Sequence, residues 1–489
     1  MTTNRRADDG SVIVWFRDDL RLADNPALVA AAQSGRAILP VYVHDEESHG
    51  IRRLGGAARW WLHHSLTALS GALKRHGADL HIFNGPAVEI VPKLAHTSGA
   101  AAVCWNRRYQ QAEGALDDTV AVELEADGVE VETFNGKLIH EPDEIRPKSG
   151  FYKVYSAYWK AADASGALPE PEPAPKRLRG AEMPSGKVQA TTLGKLGLLP
   201  TRPDWSGGLA QAFTPGETEA LRKLGRFVET DLAAYGERRD NPGVDGSSRL
   251  SPHLRFGEIS PRQIVAAVKE ASRTAAGKVK AQKFLQEIAW RDFSYNLLFH
   301  APDLATSPFA ERFEHFPWAD VPKASIRAWQ QGRTGYPIVD AGMRQLWRTG
   351  WMHNRVRMIT ASFLVKDLLC DWRVGERWFW DTLCDADPAN NAVNWQWVAG
   401  CGPDAAPFFR IFNPVLQGEK FDPKGTYVRE FVPEIKDLDA RFVHKPWEAP
   451  AEALHAAGIR LGETYPHPRV RHDEARDRAL AAFKASREG

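Results

Sequence analysis

Five short apolar segments, each set off by a stretch long enough for an amphipathic helix, occupy the first 135 residues and restrict what this chain can fold into. They are Val12 to Phe16, Ala37 to Val43, Asp79 to Phe83, Ala101 to Trp105 and Val129 to Thr133. Strands alternating with helical patterns predict βαβ units, hence a doubly wound parallel five-stranded sheet with helices on both faces. One such helix is predicted from Ala57 to Arg75, where Trp61, Leu62, Leu66 and Leu69 recur at helical spacing. No GxGxxG follows the first strand, so this domain is not expected to hold a dinucleotide in the Rossmann manner.

A chain of 489 residues exceeds a single core, which stops growing at roughly 250 to 300 residues. The expected division is an α/β domain over 11–137, an interdomain linker over 138–214 and an all-helical domain over 215–489. The linker is marked by proline, glycine and basic residues (LPEPEPAPKRLRGAEMPSGK) without a sustained period. Phe151, Tyr152, Tyr155, Tyr158 and Trp159 near its start predict that this part packs on the domains it joins. Farther on, Ser260 before Pro261 reads as an N-cap with proline at the first helical position. The stretch Arg355 to Leu369 carries Val356, Ile359 and Phe363 on one helical face and leaves Asn354, Arg355 and Met358 on another.

Composition excludes several classes. No apolar run approaches the ~18 residues of a membrane span, and the polar start of the chain predicts a cytoplasmic protein without a secretory leader. Cys104, Cys370, Cys384 and Cys401 are scattered in apolar or loop contexts, which reads as buried thiols in a reducing compartment, with no metal expected. The net charge of +1 argues against a uniformly basic DNA binder, so any nucleic-acid site must be a local groove. Of 17 tryptophans, ten fall between residues 281 and 400, more than core packing readily explains.

Four segments concentrate chemistry. DGSSRLSPHLRFGEISPRQ, residues 245 to 263, sets two serines and a glycine before a helix start at Ser251 and Pro252, either a capped turn or a diphosphate cradle. FLQEIAWRDF places Glu287, Trp290 and Arg291 at i, i+3 and i+4, either an ion pair beside a core tryptophan or a stacking surface for a base with an acid to hydrogen-bond it. WMHNRVRM and NNAVNWQW add asparagine, arginine and indole, with Asn354 and Asn391 readable as caps or as site residues.

Together with VIVWFRDDLRLADNPAL, GRTGYPIVDAGMRQLWRTGWMHNRVRM, DWRVGERWFWDTL and WQWVAGCGPDAAPFFRIFNPVLQGEKFDPKG, these runs resemble the photolyase and cryptochrome family across nearly the whole chain. The resemblance implies an α/β domain, a linker and a helical domain that holds FAD in a U shape. Tyr235, Ser247, Ser248, Arg249, Leu250 and Ser251 match the residues that clasp the phosphates and ribityl chain. Asn391 matches the residue facing the flavin nitrogen that is protonated on one-electron reduction, and Arg357 with Asp385 the ion pair along the isoalloxazine, with Asp387 close by. For substrate, Glu287 matches the acid that hydrogen-bonds a flipped pyrimidine pair, Trp290 and Trp397 the walls of its pocket, and Asn354 and Met358 its remainder. Arg239, Arg355 and Arg410 match basic rim positions for DNA phosphates, and Trp395, Trp372 and Trp318 a chain of indoles that carries electrons from the surface to the flavin. FPWADVPKASIRAW has one residue more between its tryptophans than the pattern, which affects the outermost position, Trp318.

The function implied is light-driven repair of cyclobutane pyrimidine dimers in single- or double-stranded DNA, by electron transfer from excited FADH⁻ to the flipped-out dimer, in a monomer. Three related activities compete. Plant-type cryptochrome photoreceptors carry aspartate where this chain has Asn391, and often a long tail; (6-4) photolyases place a histidine near Met358; a non-enzymatic DNA-binding flavoprotein would not need Glu287 with both pocket tryptophans. RWWLHHSL and WQWVAG resemble the bacterial class III group, which implies a methenyltetrahydrofolate antenna near the domain interface, with a deazaflavin or an empty site as alternatives.

Overall fold

The computed structural model describes residues 10–166, 168–183, 188–273 and 275–488. The polar start of the chain and residues 184–187 of the proline-rich stretch, on which expectations fall, lie outside them. The first unit comprises β1 (Val12–Phe16), α1 (Pro26–Gln33), β2 (Ile38–His44), α2 (Gly56–His76), β3 (His81–Asn84), α3 (Ala87–Ser98), β4 (Ala102–Asn106), α4 (Gln111–Ala126) and β5 (Glu130–Phe134). All pairings are parallel, in the order β3-β2-β1-β4-β5, with Val12 opposite Ile38 and Ala102. Val12, Val14 and Phe16 point to one face, against α2, while Ile13 and Trp15 point to the other, against α3 and α4. Covering both faces explains why the central strands are apolar runs and not alternating ones.

The connecting segment is more ordered than its composition suggests. It contains α5 (Tyr155–Asp163) and α6 (Gly207–Ala212), and between them it runs along the sheet, where Ile38 N–H donates to Arg179 O at 2.7 Å and Thr191 N–H to Ile82 O at 2.7 Å. Proline and glycine deny it a helical period, but Leu178, Leu196 and Leu198 anchor it in the core beside α2. Tyr155 and Tyr158 are buried against Phe293 and Leu297.

Helices then fill the chain: α7 (Glu217–Thr230), α8 (Tyr235–Arg238), α9 (Ser251–Arg255), α10 (Pro261–Ala271), α11 (Ala275–His300), α12 (Lys323–Gln330), α13 (Pro337–Thr349), α14 (Asn354–Ser362), α15 (Trp372–Thr382), α16 (Pro388–Ala399), α17 (Pro414–Phe421), α18 (Thr426–Phe431), α19 (Ala451–Ala456) and α20 (His472–Glu488). Ser260 opens α10 with a full capping box: its hydroxyl accepts from Gln263 N–H and the Gln263 side chain accepts from Ser260 N–H, both at 2.9 Å. The single helix expected from Arg355 to Leu369 is α14 followed by a π-helical turn, Phe363–Asp367. All five residues of that turn are buried, and the widened coil lets Lys366 Nζ reach Ala399 O at 2.9 Å while Asp367 meets His472 at 2.6 Å.

The two units dock through the loop after β1. Arg21 is buried and donates to Gly257 O at 2.9 Å, Asp24 receives Arg262 at 2.8 Å, and Gly257, at φ +63°, lies where any side chain would overlap the Asp18 backbone. Asp18 sits between Arg255 Nη1 at 2.9 Å and Lys137 Nζ at 3.0 Å. The four cysteines are buried and unbonded to one another, and among the described residues no cluster of His, Cys, Asp or Glu is arranged to hold a metal ion. No described helix is long and apolar enough to cross a membrane.

Asp292 on α11 is 2% exposed, and its Oδ2 receives the backbone N–H groups of Ile139 at 2.8 Å and His140 at 3.1 Å. Burial, partly offset by Arg291, raises its pKa to about 6. A carboxyl whose folded pKa exceeds its unfolded value supplies stability that is complete below the unfolded value and lost as pH rises through the folded one. About two pH units at about 1.4 kcal/mol each make this close to 3 kcal/mol, lost between about pH 4 and 6. In denaturation series across that range, Asp292→Asn is expected to lack this component; parallel curves for the two proteins would refute the assignment.

Candidate active site

Four segments converge on a cavity of about 510 Å³ in the helical domain, within the ordinary range of ~300–1,000 Å³ for small-molecule sites. Helix α11 contributes Lys283, Glu287, Trp290, Arg291 and Ser294, a stripe at steps of three and four residues. From α14 come Asn354, Arg357, Met358 and Ala361 at the same spacing, with Arg355 beside them. Helix α16 brings Asn390, Asn391, Asn394, Trp395, Trp397 and Val398. Tyr235, Arg239, Ser248, Leu250 and Ser251, around α8 and α9, close the remaining side.

Local chemistry fixes each approach. Asp387 caps α16, its Oδ1 accepting from Ala389 N–H at 3.0 Å and Asn390 N–H at 2.8 Å, while Oδ2 accepts from Tyr295 Oη at 2.7 Å. Burial would raise the Asp387 pKa, but Arg291, Lys137 and Arg255 hold it below the usual carboxylate range. It is therefore a charged cap with both oxygens bound, and it stands at the edge of the cavity.

One turn on, Asn391 Nδ2 donates to Glu376 O at 3.0 Å and Glu376 Oε1 at 2.8 Å. Both partners accept, so the amide cannot be flipped and its Oδ1 faces the cavity. Glu376 is 1% exposed and takes a bidentate grip from Arg52 of the first unit, at 2.7 and 2.8 Å. Opposite, Arg357 Nη2 donates to Asp385 Oδ2 at 2.8 Å and Arg357 Nε to Met352 O at 2.8 Å. Asp385, which lines the cavity, has its Oδ1 buried without a partner.

The family model described as DNA photolyase matches residues 12–176, and that described as the FAD binding domain of DNA photolyase matches residues 284–485. A deoxyribodipyrimidine photo-lyase of Agrobacterium fabrum is 52% identical over 97% of this chain and 98% of its own. The chain belongs to the photolyase and cryptochrome family. The crystal structure of a bacterial class III photolyase from Agrobacterium tumefaciens superposes with a TM-score of 0.94 at 50% identity, covering 98% of both chains. Cryptochrome-2 of Arabidopsis thaliana is 38% identical over 98% of this chain and 80% of its own, so the chain is similar to cryptochromes as well as to photolyases. FAD is accordingly the cofactor of the helical domain. The residues present suit it: an amide oxygen fixed toward the cavity, an unpartnered carboxylate oxygen above an arginine, and Ser248, Leu250 and Ser251 lining one end.

Most of the site residues expected within this photolyase family chain line the one cavity. Ser247 and Arg249 do not. Arg249, at φ +50°, turns its guanidinium 5.2 Å over Trp351 and pairs with Asp245 at 3.2 Å. Arg410 is exposed, off the cavity, with its guanidinium 5.6 Å from the Phe412 ring. Arg291, grouped with Glu287 by helical spacing, is buried and donates to Lys137 O at 2.7 Å at the domain contact. Trp395 and Trp372 are 2% and 1% exposed and Trp318 is half-buried, all in one continuous core.

Sequence reasoning missed three participants. Tyr155 of the connecting segment stacks on Trp290 with centroids 3.7 Å apart, fixing the indole from behind. The other two are Glu376 and Arg52, partners 324 residues apart that no local spacing relates. A second, larger cleft of about 1170 Å³ opens between the units, lined by Trp15, Tyr42, Glu46, Arg52, Arg108 and Trp380 among others. Arg52 and Glu376 border it, so one ion pair separates it from Asn391.

Proposed function

We propose that this protein reverses cyclobutane pyrimidine dimers in DNA under blue light. The observation that carries this reading is the arrangement of the cavity. Asn391 and the Arg357–Asp385 pair line the same space as Glu287, Trp290, Trp397, Asn354 and Met358. When bound, reduced FAD supplies one electron on excitation and recovers it once the cyclobutane bonds have opened, so no net redox change remains.

The chain's own residues position the reactants. Two fused bases stack and pair poorly, which lowers the cost of flipping them out of the helix. Trp290, braced by Tyr155, and Trp397 receive them by stacking, and both indoles displace water. Glu287 hydrogen-bonds the pyrimidine edge and, where its carboxyl carries or shares a proton, stabilises charge that develops on the pyrimidine carbonyl. Asn391 presents its fixed amide oxygen to the flavin nitrogen that gains a proton on reduction. Tyr235, Ser248, Leu250 and Ser251 would hold the phosphates and ribityl chain, and Asp387 keeps α16 in place. Arg239, Arg355 and Arg410 hold DNA phosphates around the mouth, which gives a chain of net charge +1 one positive face. Trp395, Trp372 and Trp318 conduct electrons inward when the flavin is not fully reduced.

The same reading takes the chain as an α/β domain over 11–137, a linker over 138–214 and a catalytic domain over 215–489, working as a monomer in the cytoplasm on single- or double-stranded DNA. Methenyltetrahydrofolate is the proposed antenna, seated in the interdomain cleft. There Glu113 offers a carboxylate to a pterin's donor edge, and Arg108 a guanidinium group to a glutamate tail.

The test uses purified holoprotein with reduced flavin and an oligothymidine carrying cyclobutane dimers, following recovery of thymine absorbance in light and in darkness. Light-dependent recovery is expected, reduced by about two orders of magnitude in Glu287→Ala with flavin content unchanged. A holoprotein that shows no recovery with reduced flavin bound overturns the reading in favour of a cryptochrome-like receptor or a (6-4) enzyme.

A further inference from the structure

Arg239 and Asp240 follow α8 as neighbours, yet they reach opposite walls of the cavity. The Arg239 guanidinium donates to the Glu287 carboxylate on α11. The Asp240 carboxylate receives Arg355 Nη2 of α14 at 2.9 Å and stands 3.9 Å from Arg239 Nε. Two crossed ion pairs thus span the mouth, and both expected phosphate-binding arginines that line the cavity are held by carboxylates of this chain. Arg410, the third, is off the cavity.

The strap is built to stay in place. Arg239 N–H donates to Tyr235 O at 2.9 Å and Asn241 N–H to Arg238 O at 3.0 Å. His353 Nδ1 accepts from Arg355 N–H at 3.2 Å, and the ring also hydrogen-bonds the backbone of Arg239. Burial lowers the His353 pKa to about 4, so the ring stays neutral and keeps both bonds. Arg355 lies 4.4 Å over the Phe421 ring, and its Nε is buried without a hydrogen-bond partner. A preformed guanidinium at the mouth is a phosphate site, and its Nη2 edge is occupied by Asp240.

We propose that Asp240 is a specificity-determining residue, an internal stand-in for phosphate that keeps Arg355 from binding undamaged DNA. The inference rests on the repair reading above. Non-specific affinity for DNA is almost wholly phosphate electrostatics, and specificity is the difference between two affinities. Undamaged DNA must displace Asp240 from Arg355 and gains only phosphate contacts. A flipped lesion enters the cavity and engages Glu287, which releases Arg239 and opens the second pair at the same time. Occupation of the pocket and release of the arginines are therefore coupled for damaged DNA alone.

The experiment compares binding of the holoprotein to one duplex with and without a single dimer, over a series of salt concentrations. Asp240→Asn is expected to bind the undamaged duplex about fivefold more tightly. Its plot of log affinity against log salt should steepen by about one phosphate equivalent. Affinity for the damaged duplex should change less than twofold, so the ratio falls, and Asp240→Glu should restore it. Flavin absorbance and unfolding temperature identify a variant that has merely lost its fold, in which case Asp240→Glu against wild type, with an unchanged ratio and slope, carries the test. Equal weakening toward both duplexes in a folded Asp240→Asn, or an unchanged salt slope, overturns the inference and leaves repair standing. A wild-type protein without preference for the damaged duplex overturns the repair reading and this inference with it.

Discussion

Replacing Asp18 by alanine is expected to destabilise the holoprotein by about 3 kcal/mol, through two cations left without their shared counter-ion. Arg255 and Lys137 have side chains only 4% and 3% exposed, and both contact the Asp18 carboxylate. Removing one member of a buried pair costs more than the pair contributes, because the remaining charges stay desolvated. The low end of the usual 3–5 kcal/mol applies, since Asp18 is itself 21% exposed to the interdomain cleft and Asp387 lies near both cations.

The sign with pH follows from the folded pKa of Asp18. Burial would raise it, but Arg255 and Lys137 hold it well below the usual value. Its contribution is complete above the unfolded value near 3.9 and is lost only as pH falls through the depressed one. The deficit of Asp18→Ala should therefore be flat between pH 6 and 8, where calorimetry should find unfolding lowered by on the order of 5 °C. Arg255 also donates to Ala386 O at 2.8 Å, between Asp385 and Asp387, so flavin affinity should fall as well. An unfolding temperature within a degree of wild type would show that the units dock through Arg21 and Asp24 without help from this cluster.

The strands were legible because burial on both faces writes a parallel sheet as uninterrupted apolar runs, yet four of the five begin one or two residues later than periodicity indicates. Ala37, Leu80, Ala101 and Val129 immediately precede the first residues of those strands, and hydropathy does not distinguish a residue entering the sheet from one paired in it. The Pro-rich connection looked structureless because its order comes from pairing with Ile38 and Ile82, more than a hundred residues away. In the cavity, i, i+3 spacing puts Glu287 and Trp290 on one face of α11, and i, i+4 spacing puts Asn354 and Met358 on one face of α14, with all four lining the same space. It failed where the partner is distant: nothing near Asn391 announces that Glu376 fixes its amide, nor that Arg52 of the other unit fixes Glu376. Arg249 departs from its neighbours for a local reason: at φ +50° its side chain lies on Trp351 and Asp245, away from the space those neighbours line.

Gly375→Ala should empty the site from a residue that does not touch it. Helices α15 and α16 approach each other at Gly375, where an added Cβ would overlap Cη2, Cζ3 and Cζ2 of Trp395. That indole cannot yield easily, being 2% exposed, with Phe379 4.9 Å and Trp329 6.3 Å from it, centroid to centroid. Overpacking of this kind costs about 1–3 kcal/mol, and the direction of least resistance is the cavity that Trp395 already borders. The displaced ring would then occupy space needed by the flavin, and the purified variant should carry less than about a tenth of the wild-type flavin, read from absorbance at equal protein. Trp395→Phe removes the overlapping atoms, so the double variant should recover flavin and part of the stability, a coupling that independent sites would not show. Full flavin occupancy in Gly375→Ala alone would mean that α15 can shift against α16, and that Trp395 is held by the cavity and not by the glycine.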